Sequence, residues 1–197
     1  MRVYDNGWRH VSFQTAPGLI WTGAKSLEDL KPTQEIMDAL GPYPKILDFG
    51  CGMGRNTFEL ARLGHDVTVF DFPNMIQMLM ADPRYTTKIA VETDWLRLVS
   101  SRFDAILATL VIQHLPADVA DEYLAAMAKM TGNLLVHSRA YLDYAGGEVI
   151  EAILKHFALD EDRNTKQQIE QALHCRGEEH FIAWFVPRLE NYECENV

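Results

Sequence analysis

The sequence predicts an α/β fold, a doubly wound and mostly parallel sheet, and three observations predict it. From Lys45 onward, short apolar runs alternate with helix-like segments, as in chains built from repeated strand–helix units. The runs are near-continuous in Val, Ile, Leu or Phe, so both faces of each strand are buried, as they are when helices cover a parallel sheet on both sides. Finally, a glycine-rich turn, Gly50-Cys51-Gly52-Met53-Gly54, joins the first of these runs to a helical segment, at the strand end where open α/β sheets take their ligands.

In chain order, residues 1–44 form a polar, aromatic-bearing cap segment with Tyr4, Trp8, His10, Phe13, Trp21 and Lys25, then two helix starts. Ser26-Leu27-Glu28-Asp29 is a capping-box pattern with Asp in the Glu position, and Lys31-Pro32-Thr33 opens a second helix. Strands are predicted at Lys45–Phe49, Asp66–Phe70, Lys88–Thr93, Phe103–Ala108 and Asn133–His137, each bounded by Gly, Asp or Asn. The helix after the glycine turn has Phe58 and Ala61 as its inner face. Val119, Tyr123, Met127 and Met130 recur at helical steps, with the two methionines filling core. Val149, Ile150, Ile153, Leu154 and Phe157 make one apolar helix face. After the acidic stretch Asp160-Glu161-Asp162 comes a polar helix from Thr165 to His174, then a strong strand from His180 to Val186 that Pro187 ends. The domain proper is 45–187, and 188–197 is an acidic, frayed tail.

Composition narrows the partners. With 18 Lys plus Arg against 28 Asp plus Glu, the net charge of the 197 residues is -10. That field opposes phosphate-driven binding of nucleic acid and adsorption to anionic membranes. No apolar run approaches the ~18 residues that would mark a span, and the first ten residues hold no apolar signal region. Three cysteines, an odd number, point to a reducing compartment, and the cytoplasm is expected. The seven histidines show no metal-ligand spacing, so no metal is expected. Gly18 to Ser26 misses a P-loop because Ala24 pushes the lysine out by one, and no serine nucleophile elbow occurs.

The glycine turn reads GxGxG, with Arg55 where a dinucleotide fingerprint has its last glycine. Asp48 stands at the strand end two residues before Gly50. A carboxylate there repels a pyrophosphate but suits a ligand carrying an α-ammonium and a sulfonium, as S-adenosylmethionine does. Asp71 ends the second strand, where an acid accepts ribose hydroxyls. Asp94, with Trp95 beside it, follows the third, where a carboxylate and an apolar ring can hold adenine.

These stretches, with Phe103-Asp104-Ala105-Ile106-Leu107-Ala108-Thr109-Leu110-Val111-Ile112-Gln113-His114-Leu115, resemble the class I S-adenosylmethionine-dependent methyltransferases, in their small-molecule branch. The resemblance covers roughly residues 40–186. It implies a Rossmann-like seven-stranded sheet in the order 3-2-1-4-5-7-6 with strand seven antiparallel, strand six falling between Phe157 and Thr165. It places Gly50, Cys51, Gly52 and the adjoining backbone against the methionine part of the cofactor, with Asp48 near its amino group and Arg55 near its carboxylate. Asp71 and Phe72 would take the ribose, Asp94 and Trp95 the adenine, and Leu110 the neighbourhood of the sulfonium. His114 and Tyr141 are the candidate catalytic residues, and Trp8, Trp21 and Tyr144 the candidate acceptor contacts. The expected activity is in-line methyl transfer to an O, N or C nucleophile of a small molecule. A macromolecular methyltransferase and a non-catalytic cofactor-binding module are the alternatives, and the acceptor and the oligomeric state stay open.

Overall fold

A computed structural model of the chain describes residues 32–142, 147–177 and 179–188. Seven strands form one sheet in the order β3-β2-β1-β4-β5-β7-β6, the expected order. The chain divides into two compact units between Leu98 and Val99.

In the first unit, helix α1 (Gln34–Leu40) buries Ile36, Met37 and Leu40 and leads into β1 (Lys45–Phe49). Then come α2 (Thr57–Leu63), β2 (Asp66–Phe70), α3 (Pro73–Ala81), β3 (Ala90–Glu92) and the single turn α4 (Trp95–Leu98). Strands β1 and β2 occupy the predicted residues, while β3 is shorter than predicted. Both ladders, β1 with β2 and β2 with β3, are parallel. The register pairs Phe49 with Phe70, so Gly50 and Asp71 leave the sheet at one level, and the Gly50 N–H donates to the Phe70 carbonyl at 2.8 Å. Ile46 and Leu47, on opposite faces of β1, are fully buried, as a strand covered on both faces requires, while in β2 Val67 and Val69 are fully buried on one face and Thr68 and Phe70 half-buried on the other. In α2 the buried face is Thr57, Phe58 and Leu60; Ala61, expected on it, is half-buried.

The second unit holds β4 (Ala105–Thr109), a 3-10 turn (Ile112–His114), α5 (Ala117–Met130), β5 (Leu134–Arg139), α6 (Val149–Leu154), β6 (Phe157–Leu159), α7 (Lys166–His174) and β7 (His180–Pro187). β4 pairs parallel with β5, and β7 runs antiparallel to both β5 and β6. β4 begins two residues later than predicted because the Phe103 N–H turns to the Met130 carbonyl at 3.0 Å. On α5, Val119, Met127 and Met130 are buried and Tyr123 is half-buried. The apolar face expected to run from Val149 through Phe157 is corrected: α6 ends at Leu154, and Phe157 opens β6 opposite Pro187. Thr165 caps α7 with a reciprocal box, its hydroxyl accepting the Gln168 N–H and the Gln168 side chain accepting the Thr165 N–H.

Among the described residues no helix is long and apolar enough to cross a membrane, and no group of His, Cys, Asp and Glu is arranged to hold a metal ion. Trp8, Trp21, Tyr144, the Ser26 capping pattern, the P-loop-like stretch and the tail beyond Arg188 lie outside the described residues.

Candidate active site

The site of the first unit is built where β1 and β2 end. Gly50, Gly52 and Gly54 all have left-handed φ, at 71°, 56° and 84°; side chains resist that region, so the turn needs glycine. The turn closes on itself through the Gly54 N–H, which donates to the Cys51 carbonyl at 3.0 Å. Asp71 then fastens it to β2. One carboxylate oxygen accepts the Gly52 N–H and the other the Phe72 N–H, each at 2.7 Å. A carboxylate offers about four acceptor positions, so those left over can receive hydroxyls.

Asp48 lies beneath, 2% exposed, and accepts the Thr57 hydroxyl at 2.6 Å. That bond ties the end of β1 to the first residue of α2. Burial pushes the Asp48 carboxyl up to about 6, against the lowering effect of the Thr57 bond and with a small further rise from the Asp71 charge. Asp71 is also raised to about 6 by burial, against its two backbone hydrogen bonds. Among the described residues neither carboxylate forms an ion pair, so the ionised forms are under-compensated and the cup favours a cation.

The remaining candidates of this unit take distinct places. Cys51 is buried and its thiol is pushed well up by burial and the two carboxylates, so it stays neutral and unreactive; what it offers is backbone. Arg55 is half-buried, and desolvation lowers its pKa. Phe72 is half-buried at the start of α3. Asp94 is exposed and acts as a helix cap: its carboxylate accepts the Leu96 N–H at 3.0 Å, with Arg97 Nε 3.6 Å away. Trp95 is 5% exposed and fills core, its ring 5.8 Å from Phe49 and 5.4 Å from Phe70.

In the second unit, Leu110 is the one non-glycine with positive φ among the described residues, at 53°. Such a conformation costs about 1 kcal/mol or more and persists only where surroundings fix it. Here the Leu110 N–H donates to the His137 carbonyl at 2.7 Å. His114, half-buried, ends the short 3-10 turn. Gln113, buried beside it, accepts the Arg139 N–H at 2.7 Å and the Ser138 hydroxyl at 3.2 Å on its Oε1, and its Nε2 lies 3.3 Å from His114 Nε2. Arg139 in turn donates to the Tyr141 hydroxyl at 3.2 Å and lies 5.0 Å from its ring centre. The two candidate catalytic residues are thus linked through Gln113 and Arg139.

Residues 46–133 match the methyltransferase domain family. This match and the order of the strands support a class I S-adenosylmethionine-dependent methyltransferase fold. No curated protein matches the sequence. Among solved structures, the chain is similar to a TehB-like SAM-dependent methyltransferase from Corynebacterium glutamicum, at 24% identity and a TM-score of 0.63, covering 89% of this chain and 95% of that one. It is also similar to the N-methyltransferase NodS from Bradyrhizobium japonicum in complex with S-adenosyl-L-homocysteine, at 21% identity and a TM-score of 0.59, with 78% and 84% covered. A third is magnesium protoporphyrin IX methyltransferase from Synechocystis with bound SAM, at 15% identity and a TM-score of 0.54, with 95% and 87% covered.

Two residues of the site escaped sequence reasoning. Thr57 showed only as a polar residue at a helix start, and nothing in the order of residues tells that its hydroxyl turns back to Asp48. Gln113 stands in a segment whose interest lay in the histidine after it; its partners are 25 and 26 residues away.

Proposed function

We propose that this methyltransferase moves the methyl group of S-adenosylmethionine to a small-molecule acceptor. The observation that carries the reading is the pair of carboxylates, Asp48 buried and Asp71 half-buried, both raised to about 6 around a turn of left-handed glycines. A diphosphate would add negative charge to two acids already short of compensation; a ligand carrying an ammonium and a sulfonium supplies it.

The residues fit that cofactor. Gly50, Cys51 and Gly52 offer backbone to its amino-acid part, and Asp48 offers charge from below. Arg55 suits the carboxylate. Asp71, with Phe72 beside it, has acceptor positions left for ribose hydroxyls. Asp94 and the backbone before Trp95 suit the adenine amino group, and Leu110 is the apolar neighbour proposed for the sulfonium. When bound, the cofactor supplies a methyl group already activated for attack. The protein's task is then to hold the nucleophile in line and keep water away. His114 and Tyr141 are proposed to face the acceptor, with Trp8, Trp21 and Tyr144 as its further contacts and residues 1–44 as a cap. Solved relatives named for N-methyl transfer and for magnesium protoporphyrin IX, and the net charge of -10, support a small acceptor over nucleic acid. Buried, unpaired Cys51 and Cys175 accord with a cytoplasmic setting.

Calorimetric titration tests the reading. S-adenosylmethionine and S-adenosylhomocysteine should bind, and ATP and NAD should not. Asp71→Ala should weaken S-adenosylhomocysteine binding at least tenfold, about 1.4 kcal/mol, since it removes ribose acceptors and releases Gly52. Unchanged affinity would show that Asp71 does not touch the cofactor.

A further inference from the structure

The hydrogen bonds around Gln113 fix more than a loop. A backbone N–H can only donate, so the Gln113 atom 2.7 Å from the Arg139 nitrogen is the carbonyl oxygen, and the Ser138 hydroxyl joins it at 3.2 Å. The orientation of the amide is therefore set by its partners. Its other end, the NH2 group, has hydrogens only to give. That end lies 3.3 Å from His114 Nε2, so this ring nitrogen must present its lone pair. In a neutral imidazole the proton then sits on Nδ1, and protonation of Nε2 would point N–H at N–H.

We propose that Gln113 is a positioning residue that holds His114 as its neutral, Nδ1-protonated tautomer and so withdraws it from service as a proton acceptor. The inference rests on the reading of His114 as a residue facing the methyl acceptor. One ring nitrogen already carries a proton and the lone pair of the other is engaged, so His114 orients the acceptor by hydrogen bonding and does not deprotonate it. The acceptor class follows: a small molecule whose nucleophile is already deprotonated at neutral pH, such as a weakly basic aromatic amine, a thiolate or a carboxylate, and not an alcohol or an aliphatic ammonium. The nucleophile's lone pair forms the new bond to the methyl carbon as the carbon–sulfur bond breaks toward sulfur, and an amine afterwards sheds its proton to water.

The test uses the full chain with nitrogen-15-labelled histidine, the His114 signals being identified by their loss in His114→Asn. Near neutral pH the wild-type spectrum should show His114 with a proton-bearing Nδ1 and a proton-free Nε2. Gln113→Glu keeps both bonds to Arg139 and Ser138 but turns the other end into an acceptor, so the proton should shift to Nε2. An Nε2-protonated or doubly protonated His114 in the wild type, or a tautomer that Gln113→Glu leaves in place, overturns the proposal. Should that variant not fold, the wild-type spectrum alone decides. Titration of the same wild-type sample with S-adenosylhomocysteine separates the two readings: no uptake sinks the cofactor assignment, whatever the tautomer.

Discussion

Replacing Gly54 with alanine tests the geometry of the glycine turn at its tightest point. An added methyl at Gly54 would lie 2.6 Å from Cε2, 2.9 Å from Cζ and 3.0 Å from Cδ2 of Phe58, and the backbone there has φ of +84°. The conformational part costs about 1–2 kcal/mol for any L-residue. The steric part requires the Phe58 ring to move, yet it is only 7% exposed and carries the Arg84 guanidinium 4.5 Å from its centre; overpacking of this sort costs about 1–3 kcal/mol. Gly54→Ala should therefore lose about 2–5 kcal/mol in urea denaturation, a large share of the ~5–15 kcal/mol of a whole domain. The double variant Gly54→Ala with Phe58→Leu separates the two parts. Removing the ring should cancel the steric part and leave the backbone part, so the cycle should show a coupling of about 1 kcal/mol or more. A loss below about 1 kcal/mol in the single variant, or strict additivity in the double, would refute the claim that Phe58 and Gly54 are mutually fitted.

Stability of the unliganded protein should respond to Asp48 and Asp71. Their folded values near 6 lie above the ~3.9 of an unfolded Asp, so the stability they contribute is full below pH ~4 and is lost as pH rises through 6. Asp48→Asn should thus gain about 1–3 kcal/mol on wild type between pH 4 and 7; a constant difference across that window would count against the buried-carboxylate argument. Asn164 donates to the Asp160 and Trp184 carbonyls and accepts the Trp184 N–H, all at 2.8 Å. Asn164→Ala should cost about 2–3 kcal/mol in denaturant midpoint, largely from the orphaned Trp184 N–H, and leave S-adenosylhomocysteine affinity unchanged. Thr165→Ala removes the capping box of α7 and should cost about 1 kcal/mol in the same assay; no loss would mean that helix does not rely on its cap.

What could be read from the residues alone follows the range of the forces involved. β1 and β2 are legible to the residue because short apolar runs end abruptly at Gly50 and Asp71, where a glycine turn and a strand-end acid stop the strands. β6 resisted because three residues carry no periodicity; its place is set by pairing with β7, a contact between distant positions. The same division holds in the site. Gly50, Gly52, Asp48 and Asp71 announce themselves through local chemistry, a turn and two strand-end acids. Thr57 and Gln113 act through partners that only the folded chain brings near, and so does the Trp95 ring, which packs against the stacked pair of Phe49 and Phe70.

The placement of β7 bears on how the chain is made. It slots between β5 and β6 and pairs with both, although it is the last of the seven to leave the ribosome. The earlier ladders of β1, β2 and β3 can zip as they emerge. In the second unit, by contrast, β5 and β6 each have an edge that only β7 covers, and an uncovered edge is open to wrong neighbours. Of the seven strands, β7 is therefore the one whose arrival joins β6 to the sheet.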